Sequence, residues 1–338
     1  MKNNNFEQLN KLLKTKGFIY SPMFSVDEVT NRLGKLNSIK IIYGETYDIY
    51  GQTLDSLKYY FFAELLAREL RSIGFKVVVD IIIGDAHSVK NKIVSNKNQL
   101  LSIASERIDL LEKIKKTYGL KNNIILMSSL MRDKTYQENL QEISDIFSKS
   151  KEYRDIAEKT VLQNRISQEE KAGYQYVLEE VALILGYDIK IGPPRENNYD
   201  KLARLMGKRL NKNQLSGIYL KPTYPLGMKF DYFVTHPEIE EFGLTPYKAG
   251  SNKLQDHRII IGQTNENQIK NLINNSFVAK NPILPNPVFD VYLISRMAKC
   301  LINNVAFQND EEVINQPQEL KSKAINELMD KIIKPLQN

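Results

Sequence analysis

The chain of 338 residues holds a single cysteine, Cys300, and three histidines, His87, His236 and His257. One thiol makes neither a disulfide framework nor a cysteine metal site, and the cytosol is the expected compartment. The histidines lack zinc-site spacing, so no metal centre is expected. The longest apolar run, Val77 to Ile83, is interrupted by Asp80 and is too short to span a bilayer. The opening "MKNNNFEQLNKLLKTKGF" has no apolar core of a signal peptide and reads as a short amphipathic helix. No G-x-G-x-x-G follows the first strand, no G-x-x-x-x-G-K-[ST] occurs, and G-x-S-x-G is missing. A dinucleotide fingerprint, a P-loop and a serine-hydrolase elbow are thereby set aside.

What is present is an alternation of buried strands and amphipathic helices. "SIKIIYG" is a short apolar run ending in glycine, followed by the loop "ETYDIYGQT". Beyond it Tyr59, Phe62, Leu66, Leu70 and Ile73 recur at three- and four-residue steps, one face of a helix that Gly74 stops. "KVVVDIIIGD" is a second strand, apolar on both faces as a parallel sheet requires. A helix over about Gln99 to Tyr118 leads to a third strand, "NIILMSS". This βαβαβ series predicts an α/β fold, a Rossmann-like doubly wound parallel sheet whose ligand crevice lies at the carboxyl ends of its strands. Helices follow over about Thr135–Lys149, Ser167–Leu185 and Asn198–Leu210, with short strands in "YDIKIG" and "SGIYLKPTY". Residues 222–262 are rich in loop formers, "NPILPNP" reads as a linker, and the remainder is helical. The expected division is an N-terminal helical extension (1–35), a Rossmann-like domain (36–280) and a small C-terminal helical domain (281–338).

The formal net charge is +7, and lysines gather in "KIKKTYGLK", "KLARLMGKRLNK" and at Lys321, Lys323, Lys331 and Lys334. Such clusters suit an anionic partner such as nucleic acid, and they equally suit a solvated surface.

Several segments, in order, resemble the tyrosyl/tryptophanyl branch of the class I aminoacyl-tRNA synthetases, especially the archaeal-type tyrosyl enzymes. "VDIIIGDAHS" resembles a strand ending in A-D-x-H-A, and "NIILMSSLMRDKTYQENL" resembles a segment with S-E-L-M-x-D-x-x-Y. "GYQYVLEEVALILGYDIKIGPPRENNYDKLARLM" is similar to the substrate helix, the next strand and a helix ending in L-A-R. "RIIIGQTNENQIKNLINNSF" and "AINELMDKIIKPLQ" resemble the family's later segments. The resemblance implies ATP with Mg as cofactor, tRNA as partner, a homodimer and no membrane.

It also assigns site residues. Gly44, Gly51, Gln52, Asp85 and His87 would bind the nucleotide. Tyr43, Tyr174, Leu178, Val181 and Glu196 would line the amino-acid pocket. Lys248, Ser251 and Lys253, in "YKAGSNKL", would stand for the mobile K-M-S-K-S loop, whose cations meet the leaving pyrophosphate. The H-x-G-H signature falls either on Leu57-Lys58-Tyr59-Tyr60 or, with an insertion, on Ile49 to Gln52, and neither stretch has a histidine. Leu178 and Val181 replace the hydrogen-bonding pair that reads tyrosine, so tyrosine is not the expected amino acid. Plainer readings stand beside these: Asp85 as a helix cap, His87 as a core or helix-starting residue, and "SSLMRD" as structural, with Ser128 or Ser129 at the crevice. The expected function is ATP-dependent activation of an amino acid with transfer to tRNA or another acceptor. The alternative is a paralogue that has lost adenylation and binds tRNA or consumes aminoacyl-tRNA.

Overall fold

Two parities of side chain organise the centre of the molecule. In strand β1 (Ser38–Glu45), Ile39, Ile41 and Tyr43 enter one apolar cluster, and Ile42 enters a second one on the opposite face. Strand β3 (Lys76–Ile83) repeats this, with Val79, Ile81 and Ile83 on the first face and Ile82 on the second. The alternation is the period of two that a pleated strand imposes. A computed structural model describes residues 3–16, 26–36, 38–45, 52–85, 97–164, 170–185, 189–191, 198–210, 217–220, 260–261, 265–275, 287–305 and 318–337.

The sheet has five parallel strands, β1, β3, β4 (Asn122–Leu126), β5 (Ile189–Ile191) and β6 (Gly217–Leu220), in the order β4-β3-β1-β6-β5. Each chain crossover returns over a helix, and helices cover both faces, so the architecture is the expected doubly wound α/β sheet. A separate two-residue ladder pairs β2 (Gln52–Thr53) antiparallel with β7 (Ile260–Ile261).

The first face is covered by α3 (Leu54–Ser72) and α4 (Lys97–Tyr118), both placed by their apolar stripes. Leu9 of α1 (Asn3–Lys16) and Leu33 of α2 (Val26–Leu33) join the same cluster. So do residues of α10 (Glu266–Asn275), α11 (Pro287–Asn303) and α12 (Gln318–Leu328). The π-helical turn Met329–Ile333 and α13 (Lys334–Gln337) complete it. Arg68 of α3 donates to the carbonyls of Cys300 and Val305, satisfying the end of α11. The second face is covered by α6 (Lys134–Lys149), α7 (Lys151–Asn164), α8 (Glu170–Ile184) and α9 (Asn198–Arg209). Among the described residues no helix is long and apolar enough to cross a membrane.

Most elements fall where the sequence places them. Gly74 (φ 103°) and Gly119 (φ 61°) end α3 and α4 in the left-handed conformation that glycine adopts without strain. Two expectations change. The third strand stops at Leu126, and Met127–Leu130 forms a helical turn, α5, because Asp85 captures the backbone N–H of Ser128. Residues 151–164, left without an element by the sequence pattern, form α7, which buries Tyr153, Ile156, Ala157 and Thr160 as one stripe. Extended Ser150 separates it from α6.

Candidate crevice at the carboxyl edge of the sheet

Parallel pairing aligns the strand ends. Glu45 of β1 sits level with Ile83 of β3, and Ile83 with Leu126 of β4. The strand order reverses direction about β1, whose neighbours are β3 and β6, so this edge carries the switch-point crevice of an open α/β sheet. Gly44 is the next-to-last residue of β1, and α3 begins immediately after Gln52 and Thr53.

Of the two placements of the histidine signature, the first falls inside a buried helix, and the second lies outside the described residues up to Gly51. Leu57 and Tyr60 lie inside α3 with no exposed surface, and the Tyr60 hydroxyl donates to Asn122 Oδ1 (3.0 Å) at the start of β4, toward the opposite edge. Gln52 stands directly before the helix, where a strand–loop–helix site presents its groups. The β2–β7 ladder pairs Gln52 with Ile261 and Thr53 with Ile260. It thereby ties the entry of α3 to the strand that follows the lysine segment. Lys253 is seven residues before Ile260, a reach of at most about 25 Å. Lys248, Ser251, Lys253, Gly51, His87 and Glu196 lie outside the described residues.

Asp85 is 4% exposed, and its Oδ1 accepts the Ser128 N–H at 2.9 Å. A carboxylate at the end of β3 thus caps the helical turn leaving β4, a bridge of 43 residues in sequence that locks two strand exits together. This is the capping chemistry of the plainer reading, applied to a neighbouring segment. The aspartate that closes "SSLMRD" caps as well. Asp133 caps α6 by accepting the Tyr136 N–H (3.1 Å), and the buried Tyr136 hydroxyl donates to the Glu179 carbonyl of α8 (3.1 Å). Burial first, then the Glu179 and Glu180 carboxylates, push the Tyr136 pKa up, so that hydroxyl keeps its proton.

The residues assigned to the amino-acid pocket are divided by the sheet. Tyr174, Leu178 and Val181 of α8 belong to the second face, with Tyr174 edge-on to Phe147 at 5.5 Å. Leu178 is 5% exposed and Val181 fully buried, in a cluster with Ile42, Ile82 and Met127. Tyr43 is fully buried on the first face, and the structure does not bring it to the other three. The neighbouring Ile42 is the β1 residue on their side, because a shift of one residue turns a strand side chain to the other face. Strand register was the signal that identifies Ile42 and Ile82, and it requires the pairing partners. Leu178, Val181, Ile42, Ile82 and Met127 make this wall apolar apart from the Tyr174 hydroxyl, among the described residues.

The carboxyl edge fits a nucleotide in part. Gly44 is the next-to-last residue of β1, and α3 starts at this edge after Thr53; the free N–H groups of a helix start are groups that favour phosphate. A protein-built metal cage is absent among the described residues, where no group of three or more metal-binding side chains converges. Magnesium held chiefly by nucleotide phosphates needs no such cage.

At the opposite edge the polar residues are paired through side chains. Asn122 donates to Glu64 Oε1 (2.8 Å) on the first face, and Arg71 faces Glu64 Oε2 at 3.9 Å. Asn123 donates to Asp80 Oδ1 (2.9 Å) on the second face, where Lys40 meets Oδ2 at 2.9 Å. Burial raises the Glu64 pKa above its ordinary value, against the lowering effects of Asn122 and Arg71.

No protein-family model matches this sequence, and no curated protein sequence does. Solved structures do match in fold. The tyrosyl-tRNA synthetase from Archaeoglobus fulgidus, complexed with L-tyrosine, is 12% identical with a TM-score of 0.59, covering 98% of each chain. That from Pyrococcus horikoshii is 15% identical with a TM-score of 0.60, over 98% of this chain and 95% of that one. The tryptophanyl-tRNA synthetase from Encephalitozoon cuniculi, bound to tryptophan, is 11% identical with a TM-score of 0.58, over 100% of this chain and 89% of that one. From its first helix to its last, this chain has the fold of the tyrosyl- and tryptophanyl-tRNA synthetases.

Proposed function

We propose that this protein acts on tRNA, and that its crevice activates an amino acid other than tyrosine with ATP before transfer to tRNA or another acceptor. The observation that carries this reading is the β2–β7 ladder, which holds the helix-entry segment with Gln52 to the strand after Lys248, Ser251 and Lys253. A synthetase needs those two segments on the same nucleotide. Gly44, Gly51, Gln52, Asp85 and His87 are the proposed nucleotide contacts, and ATP with Mg supplies the pyrophosphate leaving group. Tyr174, Leu178, Val181 and Glu196 are the proposed amino-acid contacts. The apolar wall of Leu178 and Val181 favours a side chain without a terminal hydroxyl, since an unmatched polar group buried there is penalised.

One observation favours a second reading, a paralogue that binds tRNA or consumes aminoacyl-tRNA without adenylation. The segment that enters α3 carries Gln52 and no histidine. Losing a transition-state donor of that kind costs about 10²–10³ in rate each.

ATP–pyrophosphate exchange with each of the common amino acids, run beside tRNA binding and charging, separates the two. Exchange with a non-tyrosine amino acid, abolished by Lys253→Ala, supports activation. Background exchange with intact tRNA binding supports the second reading. Failure to bind both ATP and tRNA overturns both.

A further inference from the structure

Because the sheet strands are parallel, their first residues share one edge, on the far side from the crevice. Three junctions meet there: α2 into β1, α3 into β3 and α4 into β4. They leave Lys35, Lys76 and Lys121 exposed at the heads of three adjacent strands. The last turns of α4 add exposed Lys113 and Lys116. The buried Tyr118 hydroxyl, at the end of α4, donates to the Lys331 carbonyl, which brings the π-helical turn and the exposed Lys331 alongside. Two lysine clusters more than 200 residues apart in sequence thus become one surface.

None of these six lysines forms an ion pair among the described residues. Four carboxylates at this edge are taken by other cations: Glu64 by Arg71, Asp80 by Lys40, Glu112 by Lys115 and Asp330 by Lys334. Asp109 and Glu327 lie one turn behind the row. Cations at helix C-termini ordinarily answer the macrodipole, about half a charge per end. Three ends ask for roughly 1.5 charges, so six lysines without an ion pair among the described residues, Lys331 beside Asp330 included, exceed that demand.

We propose that this amino-terminal edge docks the phosphodiester backbone of a structured RNA, outside the crevice; the proposal rests on the tRNA reading above. Lys121 is level with Val78, two residues along β3 from Lys76, and Lys35 precedes the level of Lys76 by three residues, so the lysines form a staggered row that can follow successive phosphates. Lysine offers a point charge without the planar fork that reads base edges, and the aromatic rings at this edge, Phe75 and Tyr118, are buried. The surface therefore positions RNA without selecting its sequence.

The test is filter binding of unfractionated tRNA across about 50–200 mM salt, comparing the parent with Lys76→Glu/Lys116→Glu/Lys121→Glu. A control, Lys149→Glu/Lys151→Glu/Lys159→Glu on α6 and α7, changes net charge equally. The edge variant is expected to lower the slope of log K against log salt by about 2–3, at 0.7–0.9 per lost phosphate contact, and to weaken binding at least tenfold. The control is expected to shift affinity less than twofold. Equal loss in both variants, or no loss in the edge variant, overturns the docking edge and leaves the tRNA reading intact. A parent that does not bind tRNA overturns both. Thermal melting, with the matching Lys→Gln triple, separates lost binding from lost folding.

Discussion

At the amino-terminal edge of the sheet, Asn122 and Asn123 turn to opposite faces, and each holds a buried carboxylate that also faces a cation. At the carboxyl edge, buried Asp85 holds a backbone N–H, and glycines stand at Gly44 and Gly84. Among the described residues, side chains meet side chains at the first edge, and a side chain meets a backbone N–H at the second. The chain keeps a synthetase architecture at 11–15% identity to those solved structures while the helix-entry segment has no histidine.

Breaking the side-chain edge is expected to have the largest effect. Asn122→Leu leaves the Glu64 carboxylate, 3% exposed, without its closest partner, and should cost about 3 kcal/mol in urea unfolding. At the carboxyl edge Asp85→Ala removes one acceptor from one N–H, with an expected loss of about 2 kcal/mol, whereas Asp85→Asn keeps the acceptor and most of the stability. Near-equal losses for Asn122→Leu and Asp85→Ala would erase the contrast between the edges. Asp133→Ala, at the start of α6, should cost about 1 kcal/mol in urea unfolding, the usual value of an N-cap.

The smallest effect sharpens the comparison through pH. Burial raises the folded-state pKa of Glu64 above about 4.5. As pH rises from 4.5 through that raised value, the unfolded chain has already released its proton and the folded chain has not. Stability therefore declines across this window and levels off above it. Glu64→Gln retains an acceptor for Asn122 and should flatten that segment of the stability–pH curve, measured by urea unfolding at several pH values.

The sheet's first three strands and α3 were legible because their apolar periods are strong and Gly74 and Gly119 punctuate them. The end of β4 was not, because "IILM" stays apolar past the strand and the group that turns it, Asp85, is remote in sequence. Parity was hidden for the same kind of reason. Tyr43 and Ile42 are equally plausible pocket residues until the pairing with β3 and β6 fixes which face each meets. The β2–β7 ladder joins residues over 200 apart through two residues on each strand, too short a run to leave a periodic signal. Asp133 was recognisable as part of a resembling segment, and the structure gives its reason as capping.

The two faces of the sheet also differ in when a growing chain can close them. The described buried members of the second cluster run from Ile42 to Met206, and they are all in hand once those residues have been made. The first needs Leu9 and also Ile325, Leu328, Ile332, Ile333 and Leu336. At about 5–20 residues per second, some 130 further residues take roughly 6–26 s, during which one face of α3 lacks its final cover. A nascent chain of this fold is therefore one-sided for seconds, and in that interval it presents the apolar surface that chaperones recognise.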